Sequence, residues 1–249
     1  MHRDDARRAL VNQTGAVYKS AWKWHPRMPT QNRGNFMYTL YWSHNSASIA
    51  AHYCLEEAGA AYDVVLVDMA KNAHKGADFL KINPAGKLPA MKLPDGSVIS
   101  ECAAISLLIA DRFPKSGLAP AADDPKRGPF LMWLFHLNNT LQPAMLRYYY
   151  PDRITTEAGG IAGVQEKAKE EIAALWSRVD AHLAKSGPYL LGDQFSAADA
   201  LLYMLSTWQE CCPDLYKRFP SVRRLAEKVR ARPAIARVAE MNDVGPVAA

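Results

Sequence analysis

Cysteine is scarce in this sequence, and long apolar runs are missing from it. The four cysteines form neither a Cys-x-x-Cys pair nor a spacing with histidine that suits zinc, so we expect no disulfide framework and no metal site. No window holds 18 uninterrupted apolar residues, which argues against a helix that spans a bilayer. An apolar stretch of secretory length is also missing after Met1, so we expect a reducing, cytoplasmic setting.

Net charge is missing from most of the chain. The formal charge is +5 over 249 residues, and residues 1–36 account for all of it, with seven basic residues against Asp4 and Asp5. The remaining residues are balanced, so they leave no basic footprint for nucleic acid. We predict that neither nucleic acid nor a membrane is a partner.

The leader, residues 1–36, shows no helical or strand periodicity and mixes Gln, Asn, Gly and Pro. This composition is typical of an irregular or disordered segment. Regular periodicity begins at Met37. One hypothesis makes Met37 the functional start and the leader an upstream extension; leader peptides found by mass spectrometry of the native protein would reject it.

Periodicity after Met37 predicts an α/β unit followed by a helical unit. Strands are predicted at 37–42, 62–67, 88–91 and 97–99, with a hairpin turn at Asp95-Gly96, and helices at 46–57, 76–81 and 101–112. Later helices are predicted at 131–150, with an interruption at Pro143, and at 165–185, 197–210 and 221–230. Three prolines at 120, 125 and 129 indicate a linker. We therefore predict domains at 37–114 and 130–249, joined by residues 115–129.

Three stretches in order carry a family resemblance. They are DFLKINPAGKLPA at 78–90, SECAAI at 100–105 and GDQFSAAD at 192–199. Together they resemble cytosolic glutathione transferases, most of all the bacterial beta-like class, over roughly residues 37–240. The resemblance implies a thioredoxin-like domain followed by an all-helical bundle, which is an α/β plus all-α fold. It also implies glutathione as co-substrate, a homodimer and a role in detoxification.

Leu88 and Pro89 lie where the third strand begins. The resemblance implies a cis Leu88–Pro89 bond, which would turn the backbone N–H and C=O of Leu88 outward as an edge for a peptide such as glutathione. The alternative is an ordinary trans proline at a strand entry.

Glu101 and Cys102 open a helix, where free N–H groups favour an anion such as the γ-glutamyl carboxylate of glutathione. By resemblance Glu101 accepts from the γ-glutamyl ammonium, and Cys102 takes a position often held by serine. Glu101 could instead complement only its own helix dipole. Lys71 and Lys87 are the candidates for the glycyl carboxylate, and the alternative for each is a solvated loop lysine.

Activation of the glutathione thiol is expected from the loop that begins at Ser43. A free thiol titrates near 8.5, so the site must stabilise the thiolate by donors. The resemblance places the cysteine of the beta class at Ala47, which excludes mixed-disulfide chemistry there. Ser43 matches the spacing of the catalytic serine in the theta and phi classes and is our first choice. Asn45, Ser46 and Tyr41 remain alternatives, and His44 is expected to be solvated.

Aromatic and polar residues in the helical half could hold the second substrate. We single out His136, Arg147 and Trp208, although such residues also serve helical cores. The beta class carries a His-Lys pair where this chain has Gln142-Pro143, so those contacts do not carry over. Ser196-x-x-Asp199 is a helix capping pattern and structural.

These observations predict a glutathione transferase that activates the thiol for attack on a small, hydrophobic electrophile. A glutathione-dependent lyase or ether-cleaving enzyme would share the peptide site, and product analysis would distinguish it. A non-catalytic glutathione-binding or ligand-binding protein of the same fold is the third possibility.

Overall fold

The computed structural model describes residues 37–247, and the predictions for the leader fall outside this range. A four-stranded sheet lies at the centre of the N-terminal half, in the order β2-β1-β3-β4. Its strands are β1 (Tyr38–Trp42), β2 (Tyr62–Leu66), β3 (Ala90–Lys92) and β4 (Val98–Ser100). β1 pairs with β2 in parallel, whereas β3 is antiparallel to both β1 and β4.

Both faces of the sheet are covered by helices. These are α1 (Ser48–Glu57), α2 (Ala77–Ile82) and α3 (Cys102–Arg112), with a 3₁₀ turn at Ala73–Lys75. Side chains alternate along β1, so Leu40 and Trp42 enter the main core while Tyr41 faces Phe79 of α2. Because β1 is held in this orientation, the position of Ser43, which follows its last residue, is also set.

The second half of the described chain is helical. Its helices are α4 (Arg127–His136), α5 (Gln142–Tyr149), α6 (Ile161–Ser186), α7 (Ala197–Ser206), α8 (Leu215–Arg218), α9 (Pro220–Arg230) and α10 (Pro233–Met241). Short 3₁₀ turns lie at Pro114–Ser116, Pro151–Arg153, Ala158–Gly160 and Gln209–Cys211. Every residue of α7 is buried, and this helix packs on α1 across the two halves. The predicted fold class, a thioredoxin-like unit followed by a helical unit, is confirmed.

Pro129 and Pro143 lie inside the helical half, where the sequence predicts a linker and a helix interruption. The first helix begins at Arg127, inside the predicted linker, because Pro129 stands in its first turn, where a missing N–H costs nothing. A π-helical turn, Leu137–Leu141, joins α4 to α5 just before Pro143. The predicted interruption is therefore a widened turn and not a break. Pro143 has no backbone N–H to donate, and the π turn before it changes the hydrogen-bonding pattern so that the helix continues.

The periodicity predicts helices only as far as residue 230, and the structure adds one more. This helix, α10, docks on α1, where Arg232 donates to both carboxylate oxygens of Glu57 at 2.8 and 2.7 Å. Arg237 donates to Glu56 at 2.8 Å. The C-terminal end of the described chain is thereby tied to the first helix.

The predicted cap is present at the start of α7. The Asp199 carboxylate accepts from the N–H of Ser196, the hydroxyl of Ser196 and the N–H of Leu190, each at 2.8 Å. Burial raises the pKa of Asp199 to about 6, although these donors act in the opposite direction. Ser196 and Asp199 therefore belong to the architecture.

Between Met37 and Val247, no helix combines the length and apolar character needed to cross a bilayer. No group of three or more His, Cys, Asp or Glu side chains there is arranged to hold a metal ion.

Candidate active site

Serine hydroxyls shape the loop between β1 and α1. The N–H of Ser43 donates to Ser48 Oγ at 3.1 Å, and the C=O of Ser43 accepts from Ser46 Oγ at 2.8 Å. The hydroxyls of Ser46 and Ser48 are themselves 2.5 Å apart. Ser46 and Ser48 therefore use their side chains to fix the loop backbone.

Ser43 is held by its backbone, and its side chain is free. The residue is buried, yet its Oγ forms no hydrogen bond with any other residue of the described stretch 37–247. A hydroxyl on a fixed backbone is a preorganised donor for an anion placed beside it. Of the two predicted serines, Ser43 has the available hydroxyl.

The other loop candidates occupy different environments. Asn45 is exposed, with a backbone φ of 49°. Tyr41 lies on the opposite face of the sheet from Trp42, with its ring 6.0 Å from that of Phe79. His44 is not simply solvated, because its ring packs 4.8 Å from Trp42 and its Nδ1 lies 3.6 Å from an Asp243 carboxylate oxygen.

The loop before β3 presents backbone groups to the same end of the sheet. The Leu88–Pro89 bond is cis. Tyr41 pairs with Ala90, and extending this antiparallel register by two residues sets Leu88 opposite Ser43. Neither the N–H nor the C=O of Leu88 is hydrogen-bonded to another residue within 37–247. Leu88 therefore offers one donor and one acceptor beside Ser43.

Glu101 and Cys102 approach the loop from α3 in different ways. Glu101 is exposed and adopts a positive φ of 73° directly before the helix. The buried Cys102 thiol donates to the C=O of Ala47 at 3.1 Å, and burial raises the pKa of this thiol to about 12. The side chain of Cys102 therefore ties α3 to the loop, and its backbone N–H is the group left for a ligand.

The predicted lysines both lie on the surface. Lys71 is exposed and pairs with Asp68 at 3.2 Å. Lys87 is also exposed, and its C=O accepts from Asn83 Nδ2 at 2.8 Å. The sequence reasoning missed Lys75, whose Nζ donates to the C=O of Gly86 at 2.8 Å. Nothing in its local spacing marks this contact, which joins the 3₁₀ turn to the turn after α2.

The three residues predicted for the second substrate have different contacts. Trp208 packs against Tyr149, whose hydroxyl donates to the C=O of Trp208 at 3.1 Å. Arg147 instead forms an ion pair with Glu171 of α6. His136 lies 5.5 Å from the ring of Trp133, and desolvation together with the nearby charge of Arg178 lowers the pKa of His136.

No cysteine of the described chain has the environment of a reactive thiolate. All four thiols are free and buried. Burial raises the pKa of Cys54 to about 12 and that of Cys211 to about 11, and it also raises the pKa of Cys212. None of these four cysteines therefore supplies a thiolate nucleophile at this site.

Comparison with known proteins gives matches over both halves of the chain. Residues 46–112 match the family described as glutathione S-transferase, N-terminal domain, and residues 140–240 match its C-terminal domain. Glutathione S-transferase 3 of Zea mays is 34% identical over 188 residues, which cover 72% of this chain and 82% of the maize protein.

Solved structures agree with the sequence matches. A sphingomonad glutathione S-transferase complexed with glutathione has a TM-score of 0.73 and 32% identity, and the match covers 83% of this chain and all of that one. A glutathione transferase homologue from Sulfitobacter with bound glutathione has a TM-score of 0.77 and 28% identity, covering 82% and 98%. This chain therefore belongs to the glutathione S-transferase family.

Proposed function

We propose that this protein activates glutathione through Ser43 and transfers it to a small, hydrophobic electrophile. The Ser43 hydroxyl donates to the sulfur of bound glutathione and favours the thiolate, which lowers the pKa of the thiol. The thiolate forms a carbon–sulfur bond as the leaving group departs from the electrophile. The free hydroxyl of Ser43, on a backbone fixed by Ser46 and Ser48, is the observation that carries this proposal.

Glutathione is held by groups that surround Ser43. Its cysteinyl unit pairs with the N–H and C=O of Leu88, as a short strand pairs with a sheet edge. Its γ-glutamyl carboxylate lies at the N-terminus of α3, next to the N–H of Cys102, and its ammonium lies beside Glu101. Lys71 or Lys87 neutralises the glycyl carboxylate, which fits their exposed positions.

The chain is closest in motif to the beta-like class but uses a different activating group. Ala47 stands where that class has a cysteine, and its C=O is bound to Cys102. Raised pKa values of the buried thiols also disfavour mixed-disulfide chemistry. Conjugation is therefore favoured over thiol–disulfide exchange.

The electrophile lies beside Trp208 and Tyr149. These rings meet at 6.3 Å and 87°, and they supply an aromatic wall. Arg147 is paired with Glu171 and His136 lies against Trp133, so neither is assigned a contact with the electrophile. A role in detoxification and a cytoplasmic location are part of the proposal.

A homodimer is the proposed assembly. Met132 and Phe135 are exposed on α4 although both are large and apolar. Residues three apart share one helix face, so the two side chains form a single apolar strip. Burying such a strip against a second copy of the chain would remove it from water.

Two other functions share the peptide site. A glutathione-dependent lyase or ether-cleaving enzyme would use the same thiolate, and analysis of the products formed from aryl ethers and halides separates it from a conjugating enzyme. A non-catalytic binding protein would hold glutathione without turning over any electrophile.

Calorimetric titration of glutathione into the full chain, with thiolate absorbance followed from about pH 6 to about pH 9, tests the proposal. We expect saturable binding and a thiol that titrates below its free value. Binding without early thiolate formation would support the binding protein. An absence of binding would mean that the motifs preserve only the fold.

A further inference from the structure

A stacked arginine follows the aromatic end of α5. The 3₁₀ turn Pro151–Arg153 comes directly after Tyr150, and the N–H of Arg153 donates to the C=O of Tyr150 at 3.1 Å. The guanidinium of Arg153 lies 3.8 Å from the centre of the Tyr150 ring. Stacking uses the flat face of a guanidinium and leaves the N–H groups at its edge able to donate. Arg153 is therefore held in place without the use of its donors.

Arg153 differs from other cations around the end of α5 because it has no acidic partner. Arg147 is paired with Glu171, and Lys169 Nζ lies 3.5 Å from Glu166 Oε2. Within the described part of the chain, the exposed side chain of Arg153 forms neither an ion pair nor a hydrogen bond. Its charge and its planar set of donors are thus available to an anion that comes with a ligand.

Arg153 also lies close to the N-terminal half of the chain. Burial lowers the pKa of His74, and the positive charges of Lys75 and Arg153 lower it further. Such effects are strong only within about 10 Å in salt, so Arg153 approaches His74 from the helical half. The C=O of His74 would lie 3.0 Å from a β-carbon at Gly86, two residues before Leu88. Arg153 therefore stands beside the groove in which the peptide pairs with Leu88.

We propose that Arg153 binds the second substrate, which is an aromatic carboxylate whose ring lies against Tyr149. This inference rests on the proposed function, in which Tyr149 and Trp208 form the aromatic wall. Tyr149 ends α5 and immediately precedes Tyr150, on which Arg153 stacks, so the wall and the unpaired cation share one end of the helix. A ring that carries a carboxylate combines the apolar face and the anion that these two features accept.

The carboxylate serves recognition only and is unchanged by the reaction. The glutathione sulfur forms its bond to a ring carbon, and the leaving group departs from that carbon with the bonding electron pair. Arg153 is accordingly a binding residue, and its contribution is measured as an affinity for the anion.

An unreactive pair of probes tests this substrate class without requiring turnover. Meta-nitrobenzoate and meta-nitrobenzamide have nearly the same shape, but only the benzoate is charged at neutral pH. We expect the complex of the full chain with glutathione to bind the benzoate about tenfold more tightly in ligand-detected NMR titrations, as a charge-assisted hydrogen bond allows. Added salt should reduce this preference.

Two substitutions assign the preference to one side chain. Arg153→Gln should remove it and leave the Kd for the benzamide within about twofold. Lys169→Gln is the matched control, because Lys169 also lies over a tyrosine ring, 5.8 Å from the centre of Tyr148, and the preference should persist there. The Kd for glutathione should stay within about twofold in Arg153→Gln, because Lys71 or Lys87 is assigned to the glycyl carboxylate.

Equal binding of the two probes, no binding of either, or a preference that survives in Arg153→Gln would overturn the proposal. A tenfold rise in the Kd for glutathione in Arg153→Gln would also overturn it, because Arg153 would then hold the peptide.

Turnover separates this inference from the proposed function. Conjugation of neutral chlorodinitrobenzene together with equal binding of the probes would leave the transferase in place and reject the anionic substrate. A preference for the benzoate that depends on Arg153, without conjugation of chloronitrobenzoate, would support the anion site and count against the proposed transfer.

Discussion

At the scale of single residues, the site separates side chains that fix the backbone from those that face a ligand. The side chains of Ser46, Ser48 and Cys102 form hydrogen bonds within the loop between β1 and α1 or to it. The side-chain oxygens of Ser43 and Glu101 form no such bonds within the described chain and are available to a ligand. This division explains how neighbours with similar chemistry have different roles.

Glu101 and Cys102 make the division testable at adjacent positions. Glu101→Gln keeps the shape but loses the charge that faces the glutathione ammonium, so we expect Kd for glutathione to rise about tenfold. Cys102→Ser keeps a donor for Ala47 and leaves the backbone N–H in place, so Kd should stay within about twofold. Calorimetry of both variants is the measurement, and a larger effect in Cys102→Ser would contradict the assignment.

At this scale, the sequence predicts local backbone conformation better than contacts between distant residues. The family resemblance carried by the stretch 78–90 implied a cis Leu88–Pro89 bond, and the bond is cis. It did not foretell that Arg147 pairs with Glu171 or that Lys75 reaches Gly86. Those contacts depend on how far elements separated in the sequence approach each other, which periodicity does not specify.

At the scale of elements, α10 is the helix that the periodicity did not predict. Its apolar face packs on α1, and two ion pairs join the helices. These pairs differ in burial. The Glu57 side chain is 8% exposed and is held by both guanidinium nitrogens of Arg232 that face it, whereas Arg237 is 58% exposed.

Burial predicts unequal contributions from the two arginines. Arg232→Gln leaves the Glu57 charge buried without its partner, so the free energy of unfolding should fall by about 2–3 kcal/mol. Arg237→Gln removes an exposed partner and should cost less than about 1 kcal/mol. Urea denaturation measures both changes, and equal losses would show that burial does not govern these pairs.

At the scale of the whole molecule, stability depends on two buried groups with opposite responses to pH. Burial lowers the pKa of His52 to about 3, so this group stabilises the fold above the ordinary histidine pKa, and the effect is lost as pH falls. Burial raises the pKa of Asp199 to about 6. Its contribution is present in acid and is lost as pH rises through that value.

The opposite signs predict opposite effects of two substitutions. Between about pH 7 and about pH 4, His52→Gln should reduce the loss of unfolding free energy on acidification, because one proton-binding group of the unfolded chain is gone. Asp199→Asn should steepen the same loss. Urea denaturation at several pH values measures the slopes, and wild-type slopes in both variants would rule out these two groups as the cause.

The proposed assembly also belongs to the whole molecule. Phe135→Asp places a charge in the apolar strip of α4, so we expect a monomer in analytical ultracentrifugation. Ile154→Asp alters an exposed apolar residue outside α4 and should remain dimeric. A dimeric Phe135→Asp protein would move the interface elsewhere.

The architecture was more accessible to sequence reasoning than its long-range details. Alternation along β1 and the order of strands and helices predicted both halves, because apolar periodicity records which face of an element is buried. The meeting of Tyr53 with Tyr203 joins the two halves of the chain. The sequence around either residue does not predict that contact.

The proposed activation of glutathione depends on the Ser43 hydroxyl, and the thiol pKa of bound glutathione tests this role directly. In the wild-type complex, we expect thiolate absorbance to titrate below the free value of about 8.5, and in Ser43→Ala to return towards it, with turnover reduced by about 10²-fold or more. Ser97→Ala, in the turn between β3 and β4, is the matched control and should keep the low midpoint. An unchanged midpoint in Ser43→Ala would contradict the account and would assign activation to Asn45, Ser46 or Tyr41.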